Sequence, residues 1–198
     1  MSTGEVVVVP VGGANFGSLR RALQRLGVEP AFTTDETRVR GASHVILPGV
    51  GSAAAAMASI RELGIDRWLP ALRQPLLGIC LGMQLLFESS AEGDCTTLGL
   101  LPGSVQRLPP EPVWPHMGWN RLCLASSGSP LLDGIDGRDW FYFVHGYAVV
   151  DSPLALASSE SGCAFAAVVG RGNVFGTQFH PEKSAAAGRR VLRNFLAL

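Results

Sequence analysis

No block of like charges runs anywhere along these 198 residues; acids and bases number 16 each, for a formal charge of zero. That balance leaves no electrostatic footprint for nucleic acid. Long apolar runs are missing as well. Val6 to Val11 and Phe141 to Val144 fall far short of the about 20 residues a membrane-spanning helix needs. The opening residues lack the basic segment, apolar run and cleavage site of a secretory signal. These absences point to a cytoplasmic protein away from membranes. The cysteines at 80, 95, 123 and 163 form no Cys-x-x-Cys pair and have no metal-like histidine spacing. Free thiols and no metal site are therefore expected. Gly12 and Gly13 are not part of a Gly-x-Gly-x-x-Gly loop, and no acid waits at the usual distance, so no dinucleotide cofactor is expected. Without repeats or low-complexity linkers, the chain reads as one domain over residues 1–198, long enough to bury its own core.

What is present is dominated by apolar residues, 47% of the chain, in alternating strand and helix patterns. Glu5 to Pro10 reads as a buried first strand. A helix follows with Leu19, Ala22, Leu23 and Leu26 on one face, Asn15 or Ser18 as its cap and Gly27 at its end. Val28 to Thr33 and Ser43 to Leu47 read as the next strands, and an alanine-rich helix runs from about Ser52 to Leu63. From Leu98 onward the alternation gives way to short pieces punctuated by Gly and Pro: Leu98 to Pro102, Val105 to Leu108, Asn120 to Leu124, Trp140 to Val144 and Ala148 to Val150. Strands over Ala164 to Val169 and Val174 to Gln178, then a helix over Ser184 to Leu198, return to the core. The fold class is therefore α/β, an open and mostly parallel sheet flanked by helices, with an antiparallel β excursion.

Chemistry concentrates at Pro75-Leu-Leu-Gly-Ile-Cys80-Leu-Gly-Met-Gln84. An apolar strand, a sharp turn and a helix place Cys80 beside the unpaired N–H groups of a helix N-terminus. A turn that tight leaves no room for side chains two places before and after, and glycine stands at both 78 and 82. Far down the chain, Gly176-Thr-Gln-Phe-His180-Pro-Glu182 supplies a base and its orienter. In an extended segment residues i and i+2 share a side, so Glu182 can hold one ring nitrogen of His180 while the other faces the thiol. A buried core cysteine and a surface His-Pro-Glu turn are the plainer readings of each motif taken singly.

Taken together, the two motifs resemble those of the class I glutamine amidotransferases. The resemblance implies L-glutamine as substrate and Cys80, His180 and Glu182 as its catalytic triad. It turns Pro48-Gly49-Val50-Gly51, otherwise an ordinary glycine-rich loop, into an oxyanion loop of Gly49, Val50 and Gly51 completed by the N–H of Leu81. It implies substrate contacts from Gln84, Glu92, His145, Gly146 and Tyr147. Pro115-His116-Met117-Gly118-Trp119-Asn120, with Phe143-Val-His145-Gly-Tyr147, is similar to one subfamily, the glutaminase subunits of imidazole glycerol phosphate synthases. That likeness implies a heterodimer with a (β/α)8-barrel cyclase docked over His116, Met117, Gly118, Trp119 and Asn120. One departure stands out: the subfamily has Ser or Thr where this chain has Gly146. An amidotransferase of another pathway and a catalytically silent docking subunit are the rival readings.

Overall fold

The computed structural model describes residues 4–11, 16–110, 114–125 and 128–198; Gly12, Gly13 and the candidate cap Asn15 lie outside them. Five parallel strands build the centre of the main sheet. They are β1 (Val6–Val8), β2 (Ala31–Phe32), β3 (His44–Gly49), β4 (Leu76–Cys80) and, much later in the chain, β14 (Val174–Thr177), in the order β2-β1-β3-β4-β14. Their continuous apolar runs follow from burial on both faces. Along β3, Val45 and Leu47 turn to one core and Ile46 to the other. Helices α1 (Phe16–Gln24) and α6 (Ala185–Phe195) cover the Ile46 side, while α2 (Glu36–Gly41), α3 (Ala53–Glu62) and α4 (Ile65–Trp68) cover the other.

Local chemistry sets the helix ends. Gly27 has φ 81°, and the Gly27 and Val28 N–H groups bond back to the Gln24 and Leu23 carbonyls, so the expected glycine stop closes α1. Ser52 caps α3, where Oγ accepts the Ala55 N–H, and α3 ends at the expected Leu63. Asp35 caps α2 in the same way, a helix the apolar pattern does not announce because only Val39 is buried.

Three further strands extend the main sheet antiparallel beyond β14: β13 (Cys163–Arg171), β12 (Ala155–Ser161) and β9 (Cys123–Leu124). The excursion supplies two smaller sheets. β5 (Ser89–Ser90), β6 (Cys95–Thr96), β7 (Ser104–Arg107) and β11 (Tyr147–Val149) form one, and β8 (His116–Arg121) with β10 (Trp140–His145) forms the other. Two local expectations change here. Ser89 to Asp94, whose polar run Ser-Ser-Ala-Glu-Gly-Asp predicts a loop, contains a strand of a small hairpin. Leu98 to Pro102, read as a strand, instead folds over the end of the short helix α5 (Leu81–Leu85). Its Leu98, Gly99 and Leu101 N–H groups bond to the carbonyls of Leu85, Phe87 and Leu86, so its backbone is satisfied without a ladder.

The layout brings the carboxyl ends of β3, β4 and β14 side by side, with Gly49 in register with Cys80 and Thr177 with Ile79. In open α/β sheets that edge is where ligands bind.

Candidate active site

Cys80 sits where β4 becomes α5, with φ 53° and ψ −112°. A non-glycine residue held at positive φ costs of order 1–3 kcal/mol and persists only when its surroundings impose it. They do. A Cβ on Gly82 would lie 1.8 Å from the Leu47 carbonyl oxygen, and one on Gly78 would lie 2.7 Å from the Gly82 oxygen and from Met83 N and Cα. On the next strand, a Cβ on Gly176 would meet Met83 Cγ at 2.6 Å. Glycines on three elements thus let the turn press onto the sheet, and that pressure holds the cysteine in its strained conformation.

His180 follows β14, its backbone N–H bonded to the Tyr142 carbonyl at 2.9 Å and its carbonyl accepting from Ser184 Oγ at 2.7 Å. Its Nδ1 meets Glu182 Oε1 at 2.8 Å. The carboxylate can only accept, so Nδ1 carries a proton. The pairing matches expectation but its backbone does not. Pro181–Lys183 is a 3-10 turn, so Glu182 folds back onto the ring rather than lying parallel to it along a strand. His180 Nε2 and Glu182 Oε2 are buried and find no hydrogen-bond partner among the described residues. Burial alone would lower the imidazole pKa, but its interactions with Cys80 and Glu182 outweigh that and push it up to about 10.

Cys80 and His180 share a pocket of about 300 Å³ with Val50, Gly51, Leu81, Gln84, Glu92, Val144, His145, Gly146 and Tyr147. Every residue expected to touch substrate is on that wall. Glu92 reaches it with one oxygen already accepting the Ala53 N–H at 2.8 Å, which ties it to the start of α3. Gln84 is nearly fully buried; its Nε2 donates to the Tyr147 carbonyl at 2.8 Å and to Gln178 Oε1 at 3.1 Å. Both amide hydrogens are thereby used, so only its oxygen is left to receive a ligand's donor.

Gly49 departs from this grouping. It lines a neighbouring small apolar pocket with Phe16, Pro48, His180 and Lys183, and a Cβ there would lie 3.0 Å from Gly82 N and Leu81 Cβ. Glycine at 49 thus serves close packing on the elbow, whereas Gly51, at φ 96°, serves the turn. The segment from His116 to Asn120 is also apart. As β8 it alternates half-buried and exposed residues, leaving Met117 and Trp119 at the surface, where Trp119 packs edge-on against Tyr142. His116 points inward and links the two areas: its Nδ1 lies 3.1 Å from His145 Nε2.

His145 contrasts with His180. Burial pushes its pKa down to about 3, only partly offset by its Nδ1–H donated to the Tyr147 carbonyl at 2.9 Å, with His116 and His180 adding to the depression. Gly146 also has a structural reason. A Cβ there would fall 2.7 Å from Cζ2 of Trp114, whose Nε1 donates to the Gly146 carbonyl at 3.0 Å. The indole fills the space of the missing hydroxyl side chain.

Two residues escaped the motif reading. Gln178, fully buried, donates from Nε2 to Cys80 Sγ at 3.8 Å; its signal was a glutamine two places before His180 in an apolar strand. Trp114 had only the Gly146 departure to announce it.

The glutamine amidotransferase class-I family profile matches residues 7–198. Proteins named imidazole glycerol phosphate synthase subunit HisH are similar throughout. The one from Xylella fastidiosa (strain Temecula1) is 54% identical over 196 residues, 98% of each chain, and the one from Xanthomonas euvesicatoria is 50% identical over the same share. Among solved structures, a glutamine amidotransferase superposes with a TM-score of 0.75 at 24% identity, covering 98% of both chains. The PurLQS structure from Thermotoga maritima gives 0.74 at 23%, again with 98% of both covered. These two speak for the fold.

Proposed function

The chain belongs to the class I glutamine amidotransferases, and from that premise we propose how it works as the glutaminase subunit of an imidazole glycerol phosphate synthase in histidine biosynthesis. Cys80 is the nucleophile, His180 the proton shuttle and Glu182 the group that orients and charges it. The Cys80 thiolate adds to the side-chain carboxamide carbon of L-glutamine, and the imidazolium of His180 gives its proton to the departing ammonia. Neutral His180 then takes a proton from water as it attacks the thioester, releasing glutamate and restoring the thiolate–imidazolium pair. In this reading the backbone N–H groups of Val50, Gly51 and Leu81, which line the same pocket, receive the oxyanion of both tetrahedral intermediates. Gln84, Glu92 and the 145–147 segment hold the amino-acid end.

The observation that carries this reading is the buried His180–Glu182 pair at 2.8 Å beside a cysteine strained into an elbow. A docking-only subunit would have no use for that strain.

Ammonia passes to a cyclase partner, a (β/α)8 barrel, seated on the exposed face of β8, where Met117 is 61% and Trp119 50% exposed. Large amphipathic rings concentrate interface energy, which makes Trp119 the anchor. The heterodimer works in the cytoplasm. The test is a reconstituted pair in which Cys80→Ser is assayed with glutamine and with ammonium salt. Glutamine-dependent synthesis should vanish while ammonia-dependent synthesis persists. Retained glutamine hydrolysis would refute the nucleophile assignment.

A further inference from the structure

A fully buried glutamine must have partners for both ends of its amide, or folding leaves part of the group unsatisfied. Gln178 has them in an order fixed from outside. The Tyr147 backbone carbonyl can only accept, so Gln84 must turn its NH2 toward it, as the 2.8 Å contact records. The second hydrogen of that NH2 goes to Gln178 at 3.1 Å, so Gln178 presents its oxygen there and its own NH2 to Cys80 Sγ at 3.8 Å. Flipping Gln178 would set donor against donor, and flipping Gln84 would set its oxygen against the Tyr147 carbonyl. The Tyr147 carbonyl is held from its other side by His145 Nδ1–H at 2.9 Å. Polarity therefore runs one way along the chain, and the sulfur is its last acceptor.

The same sulfur has the Val144 carbonyl at 3.8 Å. A protonated thiol can donate to that carbonyl, whereas a thiolate can only accept, and Gln178 is a side-chain donor set against it in addition to His180. We propose that Gln178 is a positioning residue that holds the Cys80 sulfur in its thiolate form and aims it into the pocket, with its own amide locked by Gln84 and the Tyr147 carbonyl. The proposal rests on Cys80 being the nucleophile. Gln178 touches no reacting atom except that sulfur, and its effect is to prepare the attacking group before glutamine arrives.

The test is the rate of Cys80 alkylation by iodoacetamide, followed by the mass of the Cys80-containing peptide across a range of pH, for the wild-type chain, Gln178→Met and Gln178→Glu. Losing one hydrogen bond to a charged acceptor should shift the midpoint of the profile upward by about one pH unit and slow alkylation at neutral pH about tenfold. Gln178→Glu, which sets a carboxylate against the sulfur, should shift it further in the same direction. Gln84→Met unlocks the amide without touching sulfur and should give a smaller shift of the same sign. It decides the matter if the position 178 variants do not fold. A merely structural role would lower melting temperature and leave the profile in place. Profiles that match wild type in the folded variants would overturn the role of Gln178 alone. Glutaminase activity that survives stoichiometric alkylation of Cys80 would instead overturn the nucleophile beneath it.

Discussion

Two histidines face the same pocket, both nearly buried, and their environments drive them in opposite directions. His180 is pushed up to about 10 and His145 down to about 3. Burial acts on both in the same sense. The difference lies in what each ring is given: His180 has a carboxylate 2.8 Å away and a cysteine in front, whereas His145 has a backbone carbonyl and a second, neutral histidine. A carbonyl dipole orients an imidazole, and a carboxylate also charges it. The pocket thus holds one histidine equipped to move protons and one equipped to stay put, which separates chemistry from binding.

The sharpest way to break the contrast is to remove one ring at a time. His180→Asn should cut kcat for glutamine hydrolysis by at least about a thousandfold, as loss of a general base in a triad does. His145→Asn should cost about tenfold, mostly in KM, because it disturbs the Tyr147 carbonyl and the substrate wall but moves no proton. Equal losses in kcat would erase the division of labour.

Next in size is Glu182→Gln, which makes His180 resemble His145 by leaving it an amide in place of a charge. Activity should fall about a hundredfold or more, less than for Cys80→Ala, with binding of the cyclase partner unchanged by titration. A loss as deep as that of Cys80→Ala would mean Glu182 does more than orient and charge the base.

A smaller effect concerns the wall on which His145 sits. Gly146→Ser must displace the Trp114 indole and should cost about 1–3 kcal/mol of unfolding free energy. The double variant Trp114→Ala, Gly146→Ser should lose less than the sum of the single variants. Strict additivity in denaturant melts would show that the indole does not reserve that space.

The mildest expectation is a pH signature in stability. A raised folded-state pKa contributes stability that is full below the ordinary histidine value of 6.5 and is lost as pH rises toward about 10, which is the His180 case. A depressed one contributes stability that is present above 6.5 and lost as pH falls toward about 3, which is His145. His180→Asn should flatten the alkaline decline and leave the acid one, and chemical denaturation at stepped pH reads both.

The sequence made His180 legible in its own motif and reached His145 only through the family resemblance, for a physical reason. Cys80, His180 and Glu182 stand in motifs whose glycine and proline requirements are local: a tight turn needs Gly78 and Gly82 wherever it occurs. The parallel core was legible likewise, because strands buried on both faces are apolar throughout. Gln178 and Trp114 act across the fold, one from just past β14 onto the end of β4 and the other onto the segment between β10 and β11, and no local pattern encodes such a meeting. β12 was missed because Ala155–Ser161 carries three serines, one of which, Ser159, is buried only because its hydroxyl donates to the Arg121 carbonyl. The turn at Pro181–Lys183 shows a correct pairing inferred from the wrong backbone: spacing two is close in a strand and also closes in a 3-10 turn.

The contrast itself is read most directly by NMR titration of the chain with labelled imidazole nitrogens, since it has only four histidines. One resonance, absent in His180→Asn, should remain protonated well above 6.5 and fall back in both Cys80→Ser and Glu182→Gln. Another, absent in His145→Asn, should remain neutral well below 6.5. If both titrated together near 6.5, the pocket would hold two equivalent histidines, and the assignment of proton transfer to His180 by its charged partners would be contradicted.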